Sequence, residues 1–149
     1  MHSRRRGFTM IEMLIVVVIG AILTSMAVRG FSGLQGKMAA RQARQVFAGM
    51  HARTRAQAIE FGQTTKLNVN FDVDSVWISR GTTVLEVIPF RQNLGADISG
   101  GSGTLKLCMN SRGFADTSCN TFTTTQTLVF TVGSDTAGVT LQTLGQLKY

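Results

Sequence analysis

The chain has 149 residues with 15 Lys+Arg, 8 Asp+Glu and a net charge of +7, enough for one small folded domain but not for two independent cores. With two histidines and two cysteines it is too poor in placed nucleophiles, bases and metal ligands to build most catalytic centres. In chain order, a basic leader over residues 1–7, Met1-His2-Ser3-Arg4-Arg5-Arg6-Gly7, runs into an apolar stretch from Phe8 to Val28, 21 residues long. As a helix that stretch spans about 32 Å, the thickness of a bilayer's hydrocarbon core. It is longer than the apolar segment of a secretory signal peptide and has a charge inside it. Arg4, Arg5 and Arg6 hold the N-terminal end on the cytoplasmic side, which sends the rest of the chain into the periplasm or beyond. The internal charge is Glu12. A carboxylate deep in hydrocarbon costs about 2.5 to 3.5 kcal/mol, and such groups are usually paired and functional. The alternative is a carboxylate tolerated near the headgroups, reached by snorkelling.

Gly7-Phe8-Thr9-Met10-Ile11-Glu12, a basic leader ending in Gly before an apolar stretch whose fifth residue is Glu, resembles the class III leader of type IV pilins and type II secretion pseudopilins. The resemblance implies that a prepilin peptidase cuts between Gly7 and Phe8 and that Phe8 becomes the N-methylated first residue. It also implies that Glu12 neutralises the terminal amine of a neighbouring subunit in a filament, two charges that are costly alone and tolerable together. Without Arg4, Arg5 and Arg6 the balance is 12 basic against 8 acidic side chains, net +4.

Residues 29–62 read as an amphipathic continuation of the helix. Ala39, Ala43, Val46, Phe47, Met50, Thr54, Ala58 and Phe61 share one side of a 3.6-residue wheel, the stripe expected to pack on a sheet. Lys37, Arg41, Arg44 and Arg55 gather on another face, with His51 beside them as a surface imidazole. This segment has a local charge of +5, whereas residues 62–149 are neutral. No Pro interrupts the helix, although Gly30, Gly33 and Gly36 weaken it.

Residues 63–149 read as antiparallel strands at Thr65–Phe71, Val76–Arg80, Thr83–Pro89, Thr104–Met109, Thr127–Val132 and Val139–Leu144, rich in β-branched residues and bounded by Gly, Asn, Asp and Ser. Ser99-Gly100-Gly101-Ser102-Gly103 is a flexible loop, because it lacks the Lys-Ser/Thr ending of a phosphate cradle. Cys108 and Cys119 are expected to form a disulfide in an oxidising compartment. A metal site is not expected, since His51 is the only imidazole left after leader removal, and Asp72 with Asp74 offers too few oxygens for calcium.

Ala52-Arg53-Thr54-Arg55-Ala56-Gln57-Ala58-Ile59, Gly62, the Trp77 strand, Ser111-Arg112-Gly113-Phe114-Ala115 and Gly145 after Val139-Thr140-Leu141 are together similar to the GspH/FimT branch of minor pilins and pseudopilins. That branch implies an α+β pilin fold, a long N-terminal helix packed against antiparallel β-sheets; because the residues offer no placed nucleophile and base, paired carboxylates or metal cluster, no enzymatic activity or cofactor is expected. The expected function is that of a minor type IV pilin that primes or caps the pilus. The alternatives are a minor pseudopilin in a type II secretion pseudopilus and a DNA-binding minor pilin for natural transformation. Its partners would be prepilin peptidase, other minor and major pilins or pseudopilins, and the bacterial inner membrane, crossed once before assembly with the C-terminal domain in the periplasm. Nucleic acid is the weaker expectation. Gly145-Gln146-Leu147-Lys148 matches the Gly-Arg-x-Arg of DNA-binding members with Gln and Lys for the two arginines, and no aromatic series suits base stacking. Lys37, Arg41, Arg44, Arg55 and Lys148 are the candidate phosphate contacts, with a solvated face or anionic headgroups as the alternative reading of the helix residues.

Overall fold

The computed structural model describes residues 9–149, and all side chains among them except those of 27–33. The leader, the Gly7/Phe8 bond and the methylated Phe8 lie outside the described residues. A single helix, α1 (Met10–Phe61), contributes to both compact units of the chain, Met1–Gln35 and Gly36–Tyr149. In the first unit every side chain from Met10 to Met26 is exposed. The hydroxyls of Thr24 and Ser25 donate back to the carbonyls of Gly20 and Ile22 at 2.7 and 2.8 Å, so neither requires water. Among the described residues no helix is long and apolar enough to cross a membrane. The expected span, Phe8 to Val28, extends past the described side chains at both ends.

In the second unit the amphipathic stripe becomes the floor of the core. Ala43, Phe47, Met50, Thr54 and Ala58 are fully buried, and Ala40 joins them. Thr54 satisfies its hydroxyl on the Met50 carbonyl at 2.8 Å, which lets a polar residue sit in an apolar row. Two expectations are corrected. Phe61 is 50% exposed, at the end of the helix, with the Arg80 guanidinium 3.9 Å above its ring. His51 is buried rather than at the surface, because the C-terminal part of the chain folds over that side of α1.

The helix is followed by β1 (Thr65–Asn70), β2 (Ser75–Arg80), β3 (Thr83–Pro89), a short helix α2 (Phe90–Leu94), β4 (Asp97–Ser99), β5 (Thr104–Met109), β6 (Gln126–Val132), β7 (Asp135–Leu141) and β8 (Leu147–Lys148). They form two antiparallel four-stranded sheets, one ordered β3-β2-β1-β5 and the other β4-β6-β7-β8. Alternate residues face inward as the pleat requires, with Leu67, Val69, Val76, Ile78, Leu107, Leu128, Phe130, Val139 and Leu141 buried. Phe130 of β6 sits 5.6 Å, centroid to centroid, from both Phe47 of α1 and Phe90 of α2, so one aromatic cluster joins three elements.

The last predicted strand is displaced. Val132 pairs with Asp135 across a two-residue turn, which sets β7 from Asp135 and leaves Gln142–Gly145 as a second turn. Neither α2 nor the short β4 and β8 had a sequence signature. Phe90 buries fully and Gly95 closes α2 in the left-handed conformation, at φ 62°.

Asp74 ties the sheets together. Its side chain accepts the Ile98 N–H of β4 at 2.7 Å and the Arg91 guanidinium at 2.6 and 2.8 Å, while Arg91 also reaches Asp97 at 2.9 Å. Cys108 and Cys119 are disulfide-bonded with their Cα atoms 5.8 Å apart. The bridge holds residues 116–121 along the outer edge of β5. There Lys106 and Cys108 donate their N–H groups to Thr121 Oγ1 and Asn120 Oδ1, both at 2.8 Å, and their carbonyls accept from Thr121 and Asp116 at 3.1 and 2.8 Å.

Candidate functional site

Two regions contain the sequence-predicted site residues. The first is the start of α1. Thr9 caps the helix: its hydroxyl and carbonyl accept the Glu12 N–H at 3.3 and 3.1 Å. Thr9-Met10-Ile11-Glu12 therefore has the form of a capping box, a hydroxyl residue followed three positions later by Glu. Glu12 lies exposed in the first turn, where the positive end of the helix dipole favours a carboxylate. The position that the leader motif assigns to Glu12 is thus also one that helix initiation favours.

The second region is the basic face of α1 with the elements folded against it. Arg44 lies 5.3 Å from the Tyr149 ring centroid and Arg55 lies 5.8 Å from that of Phe114. Between them His51 Nε2 bonds the Gly145 carbonyl at 2.8 Å. Burial lowers the His51 pKa, the bond to Gly145 raises it and nearby Arg55 lowers it, with a net shift downward. The neutral ring donating to Gly145 is the form this setting favours. Gly145 has φ 78°, and a Cβ there would stand 2.9 Å from Ala115 Cβ, so both conformation and space select glycine.

Lys37 and Arg41 are exposed on the same helix face, and Lys148 is exposed in β8. Of the five basic residues, Arg44 and Arg55 are engaged with aromatic rings, and Lys37, Arg41 and Lys148 are exposed. Tyr149 and Phe114 are the aromatics that linear reading did not place there, and each ring already has a guanidinium beside it. In the disulfide-closed segment Asp116 accepts from the N–H and hydroxyl of Ser118 at 3.0 and 2.6 Å, bonds that hold its carboxyl below the usual range. Among the described residues no three His, Cys, Asp or Glu side chains are grouped as metal ligands.

A long capped helix packed over its later part on antiparallel sheets is the arrangement of a pilin fold. The N-terminus matches the family model described as the prokaryotic N-terminal methylation motif over residues 2–28. The fold is similar to that of the type IV minor pilin FimU of Pseudomonas aeruginosa (strain PAO1), with a TM-score of 0.56 and 11% sequence identity over 73% of this chain and 86% of that one. No curated protein matches the chain.

Proposed function

We propose that this chain is a minor type IV pilin, a structural subunit that primes or caps a filament after cleavage at Gly7/Phe8 and methylation of Phe8. The observation that carries the reading is the coincidence of two independent likenesses on one helix: the methylation motif at its head and a minor-pilin fold built on its later part. Before assembly the apolar run anchors the chain in the inner membrane, with the sheet unit in the periplasm. In the filament Glu12 neutralises the amine of a neighbouring subunit's Phe8.

Intact mass of the chain isolated from cells tests the processing. The expected product begins at N-methyl-Phe8, and a chain retaining residues 1–7 overturns that step. Glu12→Ala should leave membrane insertion intact and reduce incorporation into filaments; full incorporation refutes the role of Glu12. A deletion strain separates the two machines, since loss of piliation supports a pilin and loss of exoprotein export supports the pseudopilin alternative. The nucleic-acid reading is tested by gel shift. Salt-sensitive binding that disappears on replacing Arg41, Arg44 and Arg55 would favour it.

A further inference from the structure

The sheet β3-β2-β1-β5 turns one face to the core and the other outward. Leu67, Val69, Val76, Ile78, Leu105 and Leu107 point inward and are buried. The alternate residues, among them Lys66 and Asn68 of β1, Trp77 and Ser79 of β2, and Thr104 and Lys106 of β5, therefore face away from the core. The register sets Trp77 opposite Asn68 and Asn68 opposite Lys106, a row of indole, amide and ammonium across three strands. The backbones at its two ends are about 10 Å apart, two strand spacings.

The chain's one Trp is thus turned outward and half-buried, while Val76 and Ile78 on either side of it are fully buried. The Asn68 amide donates to Ser79 Oγ at 3.0 Å and to the Trp77 carbonyl at 3.4 Å, which fixes the middle of the row. Lys66 and Lys106 are half-buried on the same face. Glu86 is the one carboxylate of the four strands, and it belongs to the opposite face, where it pairs with Arg53 of α1. The charge these strands present outward is therefore positive only. At Thr104 the face reaches a cleft of about 340 Å³ whose lining includes Ser102, Thr121, Thr123 and Gln126. Thr121 joins the cleft to the row, since its hydroxyl accepts the Lys106 N–H.

We propose that this face binds an acidic polysaccharide, a chain of uronic acid units, with Trp77 as the platform for a sugar ring and Lys66 and Lys106 as the partners of its carboxylates. One side of a sugar ring is a patch of C–H groups, which packs on an indole without a hydrogen-bond partner. The rim of the ring is all hydroxyls, and the hydroxyl and amide side chains of the cleft supply both donors and acceptors for them. The lysines select charge: a neutral glycan leaves both ammoniums unpaired, whereas a carboxylate on each of two nearby units meets them. A single-stranded nucleic acid fits less well, because its successive bases call for a series of aromatic platforms and the face has one. With half-buried groups and one ring, the expected Kd lies between about 10 µM and about 1 mM.

The test titrates the full chain in neutral detergent with oligogalacturonate, with a cello-oligosaccharide as the uncharged comparison and a single-stranded oligonucleotide as the other polyanion. Because Trp77 is the one Trp, its fluorescence reads occupancy of the platform directly, and calorimetry reads the variants. The expected result is a saturable fluorescence change with oligogalacturonate that weakens as salt is raised, and binding of the uncharged chain at least tenfold weaker. Trp77→Ala should weaken oligogalacturonate binding tenfold or more, and Lys66→Gln with Lys106→Gln should remove the preference for the charged chain. No binding of oligogalacturonate, equal binding of the uncharged chain, tighter binding of the oligonucleotide, or indifference to these substitutions overturns the proposal. If Trp77→Ala does not fold, amide resonances of the unmutated protein give the same answer: shifts centred on Lys66, Trp77 and Lys106 support the site, and shifts elsewhere refute it.

Discussion

At Asp74 one buried carboxylate connects the loop before β2, the start of β4 and the side chain of Arg91. Its backbone adopts φ 48°, a left-handed conformation that Asp and Asn tolerate better than most residues. Asp74→Ala should therefore cost about 2 to 3 kcal/mol, because it strands the Ile98 N–H and strains the backbone. Asp74→Asn should cost about 1 kcal/mol, since it keeps an acceptor and the turn and loses only a charge pair whose arginine is 65% exposed. Urea titrations of the two variants give the order directly. His51 makes a second prediction with a definite sign. Its folded pKa lies below the 6.5 of the unfolded chain, so the unfolded state takes up the proton first. Stability should be full above about pH 6.5 and fall as the pH drops below it, and His51→Gln should flatten that slope in the denaturation midpoint between about pH 7.5 and about pH 5. Neither role was legible in the sequence. A histidine beside arginines on a helical wheel reads as surface until Gly145, 94 residues away, is known to cover it.

The elements were legible where periodicity alone decides them. Ala43, Phe47, Met50, Thr54 and Ala58 were placed by the 3.6-residue repeat, and β3 and β5 have the bounds that their β-branched runs and flanking turns indicate. Elements set by a partner were not. β7 begins at Asp135 because β6 supplies the register, although Asp135, Ala137 and Gly138 carry little strand propensity. The covering of β5 was also hidden, because it joins a strand to a segment without regular structure through side-chain acceptors. Replacing Cys108 and Cys119 with serine should cost about 3 kcal/mol through loop closure. It should also accelerate amide exchange at Lys106 and Cys108 more than at β1, a pattern that a uniform loss of stability would not produce.

At the scale of the molecule, the fold class was legible from the order of a long helix followed by β-type runs. The division of those runs into two sheets was implied by resemblance and not by the runs themselves. The unit Gly36–Tyr149 should unfold in one cooperative transition after deletion of residues 1–35, because among the described residues its buried core runs from Ala43 to Leu141. Coincident near- and far-UV circular dichroism transitions would bear this out, and separated transitions would contradict it. The disulfide then has a bearing on association between chains. If residues 116–121 leave β5 before the thiols close, the N–H and C=O groups along its outer edge become a template for strand addition. Closing Cys108 to Cys119 thus keeps that template covered, and the reduced chain should deposit as β-rich aggregate under conditions in which the oxidised chain remains soluble.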